Sequence, residues 1–411
     1  MLNTEYLMQC YQELKSGKAA GIDGKRKEDY TDKEIGKEIE NIVAKMKAKR
    51  YRPKPVKRVY IKKANGKQRP LGIPTILDKI VQQGMKKILE AIYEPHFLDN
   101  SYGFRPNRNC HQALKAVYRM VMTKPINWII DVDIKGFFDN VDHHWMIECL
   151  NQKISDPNFR SLIIKFLKAG VMEQGRHNKS EIGTPQGGIL SPLLANIYLH
   201  YVLDLWFEEV ERKKISGYTE IIRYADDFII GAQTKHEAYQ ILKDLKERLR
   251  KFRLEVSIEK TGIKEFGRCA EQNIGNRGKI KPDTFDFLGF THYCSKSRKG
   301  NFLMKIKTNV KRQSKALKEM NLWLKKIRNK SKIKQIWKTL ASKMQGHYNY
   351  YSVSSNSKSI NSYHYQVKRL VFKWLNRRSQ KQSFNWKEFD KYLKLYPLPK
   401  STLVYNMYDI W

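Results

Sequence analysis

The sequence predicts an α+β fold built on an antiparallel sheet and followed by an all-helical C-terminal region. Three observations predict it. Trp128–Ile134 alternate as a strand, with Trp128, Ile130, Val132 and Ile134 on one face and Asp131 and Asp133 on the other. A second alternating pair flanks Ala225-Asp226-Asp227, which makes a hairpin with two acids at its tip. Helical stretches fall between these strands without strict β-α alternation, and beyond residue 305 only helical spacing remains.

Each element follows in chain order. Residues 1–50 read as mostly helical and basic, interrupted by the turn sequence Ala20-Gly-Ile-Asp-Gly24. Val56–Ile61 is a short strand, and Asn65-Gly66 beyond it signals a hairpin. Ile76, Leu77, Ile80, Val81, Ile88, Leu89 and Ile92 have helical spacing. Further helices are expected around 142–170 and 190–213. A composition shift near residue 300 marks a boundary, with Cys294–Gly300 as connector. Beyond it, Val310, Leu317, Met320, Leu324 and Ile327 form one apolar stripe. Ile333, Trp337, Leu340 and Met344 form another, ending at Gly346 as a C-cap, and a third helix covers Ser362–Leu375. The expected domains are 1–50, 51–300 and 301–411.

The chain has 411 residues with 79 Lys and Arg against 41 Asp and Glu, a net charge of +38. A surplus of that size repels itself, and only a polyanion relieves it over a wide surface, so nucleic acid is the expected partner. From Lys305 to Trp411 there are 25 basic and 4 acidic residues, so the last quarter supplies more than half of the surplus. Apolar residues make up 41%, enough to bury cores, and no apolar run approaches the ~20 residues of a membrane span. The N-terminus lacks a signal pattern. Five scattered cysteines with no C-x-x-C pair point to a reducing compartment and away from a zinc ribbon.

The acids inside apolar runs carry the chemistry. Asp133 ends one hydrophobic strand, and Asp226 and Asp227 sit at the hairpin tip. Taking a carboxylate out of water costs several kcal/mol or more unless something pairs it. Two readings answer that cost: a buried salt bridge to Arg223 or a lysine, or a divalent metal. Magnesium takes one or two carboxylates plus substrate phosphates. Two such ions about 3.5–4 Å apart activate a hydroxyl and stabilise a leaving pyrophosphate.

Tyr224-Ala-Asp-Asp227 between apolar strands resembles the signature of reverse transcriptases, and seven more blocks match in order. They are Ala19-Ala-Gly-Ile-Asp-Gly24, Lys67-Gln-Arg-Pro-Leu-Gly-Ile-Pro-Thr75, Ser101-Tyr-Gly-Phe-Arg-Pro106, Asp133-Ile-Lys-Gly-Phe-Phe-Asp139, Gly183-Thr-Pro-Gln-Gly-Gly-Ile-Leu-Ser-Pro192, Ile258-Glu-Lys-Thr261 and Phe287-Leu-Gly-Phe290. Together they resemble the bacterial group II intron-encoded proteins. Gly346-His-Tyr-Asn-Tyr-Tyr351, Pro397-Leu-Pro-Lys400 and Tyr408-Asp-Ile-Trp411 are similar to the maturase part of that family. Each tetrapeptide alone is weak, and blocks in order are specific.

The resemblance implies a right-hand polymerase, with an N-terminal extension, fingers and palm over 51–300 and a helical thumb and maturase domain over 301–411. It implies RNA-directed DNA synthesis with two Mg²⁺ ions, Mn²⁺ being an alternative. Asp133 and Asp226 would be the direct metal ligands, with the Ile134 carbonyl as a further one. Asp227, the third catalytic acid and a weaker member of the metal set, would shape the site. Lys63 and Arg69 would hold the triphosphate, Gln186 would line the nucleotide pocket, and Lys260 would contact primer or nucleotide phosphate. Phe137 would exclude a 2′-hydroxyl, with Phe138 as the alternative gate. Lys311, Arg312, Lys315, Lys325 and Lys326 would bind the template–primer duplex. Tyr348, Tyr350, Tyr351, Trp374 and Trp386 are read as core in preference to base-stacking platforms.

The implied partners are the chain's own intron RNA, a DNA primer or target and dNTPs, in the bacterial cytoplasm, with no membrane. The form expected is the one without an HNH endonuclease domain. Two rival readings remain. One is a domesticated reverse transcriptase in phage defence, repair or CRISPR spacer acquisition. The other is an RNA-binding splicing factor whose polymerase site is vestigial.

Overall fold

In the computed structural model, residues 2–62, 68–173, 176–178, 183, 187–273, 281–379 and 383–409 are described. The chain divides into two units. The first comprises Met1–Ala113, Val132–Ile230 and His236–Gly262; the second comprises Leu114–Asp131, Gly231–Lys235 and Ile263–Trp411.

The first unit opens with helices α1 (Thr4–Glu13) and α2 (Asp32–Lys47). Ile35, Ile39, Ile42 and Val43 on α2 are buried at the spacing of a single helix face. Thr31 and Glu34 close its N-terminus as a capping box. Strands β1 (Val56–Lys62) and β2 (Gln68–Ile73) pair antiparallel from Lys57↔Ile73 to Lys62↔Gln68, as the Asn-Gly signal predicts. Helix α3 (Ile76–Tyr93) matches its apolar spacing end to end, started by Thr75, whose hydroxyl accepts from Asp78 N–H.

Next come α4 (Cys110–Thr123), β3 (Trp128–Asp133), α5 (Phe137–Asn140), α6 (His143–Asn151) and α7 (Pro157–Leu167). The helix expected over 142–170 is thus two, because Pro157 begins a new one behind the Asp156 cap. Strands β4 (Val171–Glu173) and β5 (Arg176–Asn178) extend the first sheet to the order β2-β1-β4-β5. Helix α8 (Ser191–Leu199) continues through π-helical turns at His200–Asp204 and Phe207–Glu211 into α9 (Arg212–Lys214). Strands β6 (Thr219–Tyr224) and β7 (Asp227–Ala232) form the predicted hairpin. Helix α10 (Lys235–Lys251) and β8 (Gly262–Glu265) follow, and the second sheet has the order β6-β7-β3-β8.

In the second unit, β9 (Phe285–Phe287), β10 (Phe290–Lys296) and β11 (Phe302–Thr308) form an antiparallel sheet. Cys294–Gly300, read from sequence as a connector, is the end of β10 and its turn into β11. The helices α11 (Val310–Ile327), α12 (Ile333–Tyr351), α13 (Ser357–Leu375) and α14 (Trp386–Leu395) share one core around Met320, Leu324, Leu340, Met344, Tyr348, Val367 and Phe389.

Three details differ from the sequence reading. Val310 and Ile333 begin their helices exposed, at 68% and 40%, because the first turn precedes the packed stripe. Helix α12 does not stop at Gly346. It runs on to Tyr351, because buried Tyr348 and half-buried Tyr351 offset the ~1 kcal/mol a mid-helix glycine costs. Helix α14 carried no expectation at all. The aromatics behave mostly as core: Tyr348 and Trp374 are buried, whereas Trp386 stacks on Phe372 while staying 44% exposed. Among the described residues, no helix is long and apolar enough to cross a membrane. All five cysteines are free.

Candidate active site

Strand pairing sets the end of β3 beside the start of β7. Asn127 N–H donates to the Ala232 carbonyl at 3.1 Å, so β3 and β7 run antiparallel, the start of one beside the end of the other. Followed along the pair, this sets the end of β3 at Asp133 beside the start of β7, which Asp227 opens as an exposed residue. Asp226 lies in the turn just before β7, half-buried and outside either strand.

Asp133 is wrapped by the block Ile258–Thr261. Ser257 N–H donates to its carbonyl at 2.7 Å, and its own N–H donates to the Thr261 hydroxyl at 3.3 Å. Lys260 Nζ donates to both carboxylate oxygens, at 2.8 and 3.0 Å. Both side chains remain open to solvent, Asp133 at 41% and Lys260 at 64%. Lys260 is thus on Asp133, and its ammonium occupies the side of the carboxylate where a cation is stable. Ile134 is buried and bridges to Val256.

The turn itself stands on a buried polar base. Arg223 is fully buried; its Nε donates to Asp204 Oδ1 at 2.7 Å and its Nη2 to Oδ2. Its Nη1 donates to Asn196 Oδ1 at 3.1 Å and to the Ala225 carbonyl at 3.0 Å. Ala225 has φ +58°, a left-handed conformation that alanine adopts at a cost. Gly103 lies against it: a Cβ at 103 would sit 2.4 Å from Ala225 N, so this position admits no side chain. Asn196 Nδ2 donates to the Gly103 carbonyl at 2.7 Å, and Tyr102 N–H to that of Arg223 at 2.9 Å. Burial, helped by the Arg223 charge, pushes neighbouring His200 down to about 4 against the pull of Asp204.

Of the cations the sequence offered as partners, Arg223 is taken by Asp204, whereas a lysine, Lys260, holds Asp133. The buried partner of Arg223 is Asp204, an acid the sequence reading missed. Its signal was an acid on the apolar face of the helix that begins at Ser191. Asn196 and Thr261 were also missed; Thr261 has only its place in the Ile258–Thr261 block as a signal, and Asn196 has none.

Around this centre, Phe137 is buried at 2%, its ring 5.4 Å from Phe138 and 6.4 Å from Tyr198, while Phe138 is half-buried. Arg69 lies on β2 opposite Ile61, and its side chain falls outside the described residues, as do Lys63 and Gln186 altogether. Gly187, next to Gln186, has φ +110°, and a Cβ there would come within 2.7 Å of the Gly72 carbonyl, so the pocket block presses backbone to backbone on β2. Lys311, Arg312, Lys325 and Lys326 are exposed on α11, and Lys315 pairs loosely with Glu319 at 3.7 Å.

Among the described residues, no three His, Cys, Asp or Glu side chains gather into a cage for a metal. Asp133 and Asp226 alone suit magnesium, which takes one or two carboxylates and leaves its other positions to water and phosphate. The Lys260 ammonium stands on both Asp133 oxygens, so a metal bound there would displace it.

The family model described as "Reverse transcriptase (RNA-dependent DNA polymerase)" matches residues 61–292. The chain is 33% identical over 442 aligned positions to the Group II intron-encoded protein LtrA of Lactococcus lactis subsp. cremoris, covering 91% of this chain and 73% of that one. It is 32% identical over 330 positions to Protein YkfC of Escherichia coli strain K12, covering 72% and 82%. It is 40% identical over 211 positions to an uncharacterized 91 kDa protein in the cob intron of Schizosaccharomyces pombe, covering 51% and 26%.

Proposed function

This chain belongs to the reverse transcriptases encoded by group II introns, RNA-directed DNA polymerases that serve the splicing and mobility of their introns, and we propose that Asp133 and Asp226 carry its polymerisation. The observation supporting the assignment is that the end of β3 carrying Asp133 lies beside the start of β7, next to the turn that holds Asp226, while Arg223 is committed to Asp204.

Asp133, Asp226 and the Ile134 carbonyl would hold two Mg²⁺ ions, with Mn²⁺ as an alternative. Such ions, when bound, lower the pKa of an attacking hydroxyl and offset charge on the leaving pyrophosphate. Asp227, at the start of β7, shapes the site from the end of the hairpin turn. Lys260 neutralises Asp133 at rest, and its exposed ammonium transfers to substrate phosphate. Arg69 grips the triphosphate with a bidentate fork, Lys63 adds a point charge, and Gln186 lines the base pocket. Phe137, packed on Tyr198 and buried, would back the wall that excludes a 2′-hydroxyl, with half-buried Phe138 as the alternative gate.

Residues 1–50 act as the N-terminal extension, 51–300 as fingers and palm, and 301–411 as thumb and maturase domain. Lys311, Arg312, Lys315, Lys325 and Lys326 hold the template–primer duplex through phosphates. The RNA partner is the chain's own intron, engaged in the bacterial cytoplasm as a ribonucleoprotein with a DNA primer or target.

Primer extension on an RNA template tests this. Wild type should make cDNA, and Asp226→Ala should lose it by about 10³-fold or more, on the scale of removing a charge-stabilising group from a reaction centre. Equal synthesis by the two proteins would leave only an RNA binder.

A further inference from the structure

Phe104 combines two unfavourable features. Its backbone has φ +56°, a conformation in which a bulky residue is a genuine outlier, and its ring is 54% exposed. The same loop holds a second left-handed residue, Asn107 at φ +57°, but asparagine is among the residue types that tolerate this. A loop free to choose would not place a phenylalanine at such a position and then leave it in water.

Both flanks of Phe104 are fixed. On one side, Gly103 touches Ala225 of the aspartate-bearing turn and is tied to Asn196. On the other, Arg105 is buried, with its Nε 2.9 Å from Glu94 Oε1 and its Nη1 2.6 and 2.9 Å from the Leu98 and Ser101 carbonyls. The chain is therefore clamped before and after a strained residue, and consecutive Cα atoms are about 3.8 Å apart. That leaves the exposed ring one residue from backbone contact with the turn that carries Asp226. Strain held in place by over-determined neighbours at a reaction centre is a mark of function.

We propose that the Phe104 ring is a contact surface for a nucleobase of the template–primer beside the growing end, a binding residue additional to the phosphate-gripping cations. This rests on the polymerase reading of the aspartates. An exposed aromatic face stacks on any base, which suits an enzyme that copies whatever template it is given.

Phe104→Asn separates the ring from the backbone, because asparagine accepts the left-handed conformation without strain. Three quantities are measured on the full chain: thermal midpoint, Kd for an RNA template annealed to a DNA primer at several salt concentrations, and KM for dNTP. The expected result is a midpoint at or above wild type and a Kd weakened roughly ten-fold, the scale of one lost base stack. The slope of log Kd against log salt should not change, since a ring neutralises no phosphate. Phe104→Trp should bind within about two-fold of wild type, because it keeps a π-face.

Wild-type Kd in Phe104→Asn overturns the proposal, whether or not KM for dNTP rises. A lowered midpoint overturns it too, by showing that the ring packs in the fold. The polymerase reading fails separately: wild type would then bind template–primer and make no cDNA.

Discussion

Asp204 and Arg223 show how much one buried pair can decide. With both side chains fully buried, the carboxylate exists to hold the guanidinium, and the guanidinium holds the Ala225 carbonyl under the turn. Replacing Asp204 by Asn leaves a charge uncompensated in the interior. Such a change costs about 3–5 kcal/mol, which urea denaturation reads as a lowered midpoint. A midpoint within ~0.5 kcal/mol of wild type would mean that the pair is solvated. At this scale the sequence was partly legible. Asp133, Asp226 and Asp227 stood out because acids in apolar runs need a reason. Asp204 did not, because its partner is 19 residues away and only the fold brings the two together. Lys260 was read as a phosphate ligand, and its grip on Asp133 depends on a loop returning to the end of β3, which no local pattern encodes.

The helix from Ser191 to Lys214 explains how such acids come to be buried. An uninterrupted α-helix keeps a fixed stripe inward, and π-helical turns shift that stripe. The turn at His200–Asp204 contains Asp204, and the turn at Phe207–Glu211 contains Glu211, whose side chain is fully buried. Burial, with the charge of Asp244 beside it, pushes the Glu211 carboxyl up to about 7 against the pull of Lys214. The folded chain thus holds this proton more tightly than the unfolded chain does. Its stabilising effect is complete below the ordinary carboxylate range and is lost as pH rises from there through about 7. Glu211→Gln, which copies the protonated form, should leave stability unchanged near pH 4 and raise it at pH 8 by up to about 3 kcal/mol. Stabilisation of equal size at both pH values would contradict the burial. Elements with strong periodicity, such as α3 and the β6–β7 hairpin, could be read directly from sequence. The π turns could not, since no glycine, proline or capping residue marks where the stripe shifts. Nor could the continuation of α12 through Gly346, because tertiary packing outweighed a local stop signal.

Over the whole molecule, charge and register divide the work. A surplus of +38 draws in nucleic acid without regard to sequence, and α11 presents part of it on a helix face. Replacing Lys311, Arg312 and Lys325 together by Gln should weaken template–primer binding and lower the slope of log Kd against log salt by about 2–3. An unchanged slope would remove α11 from the duplex contact. Composition made this surface legible early, because a charge total survives any error in element boundaries. What composition could not reveal is whether two acids far apart in sequence converge. The most direct test is metal-directed cleavage of the chain, with Fe²⁺ in place of Mg²⁺ and peroxide as oxidant. The account predicts cuts beside both Asp133 and Asp226 that disappear together in Asp226→Ala. Cuts elsewhere, or cuts that persist unchanged in that variant, would mean that the two aspartates do not share a metal site.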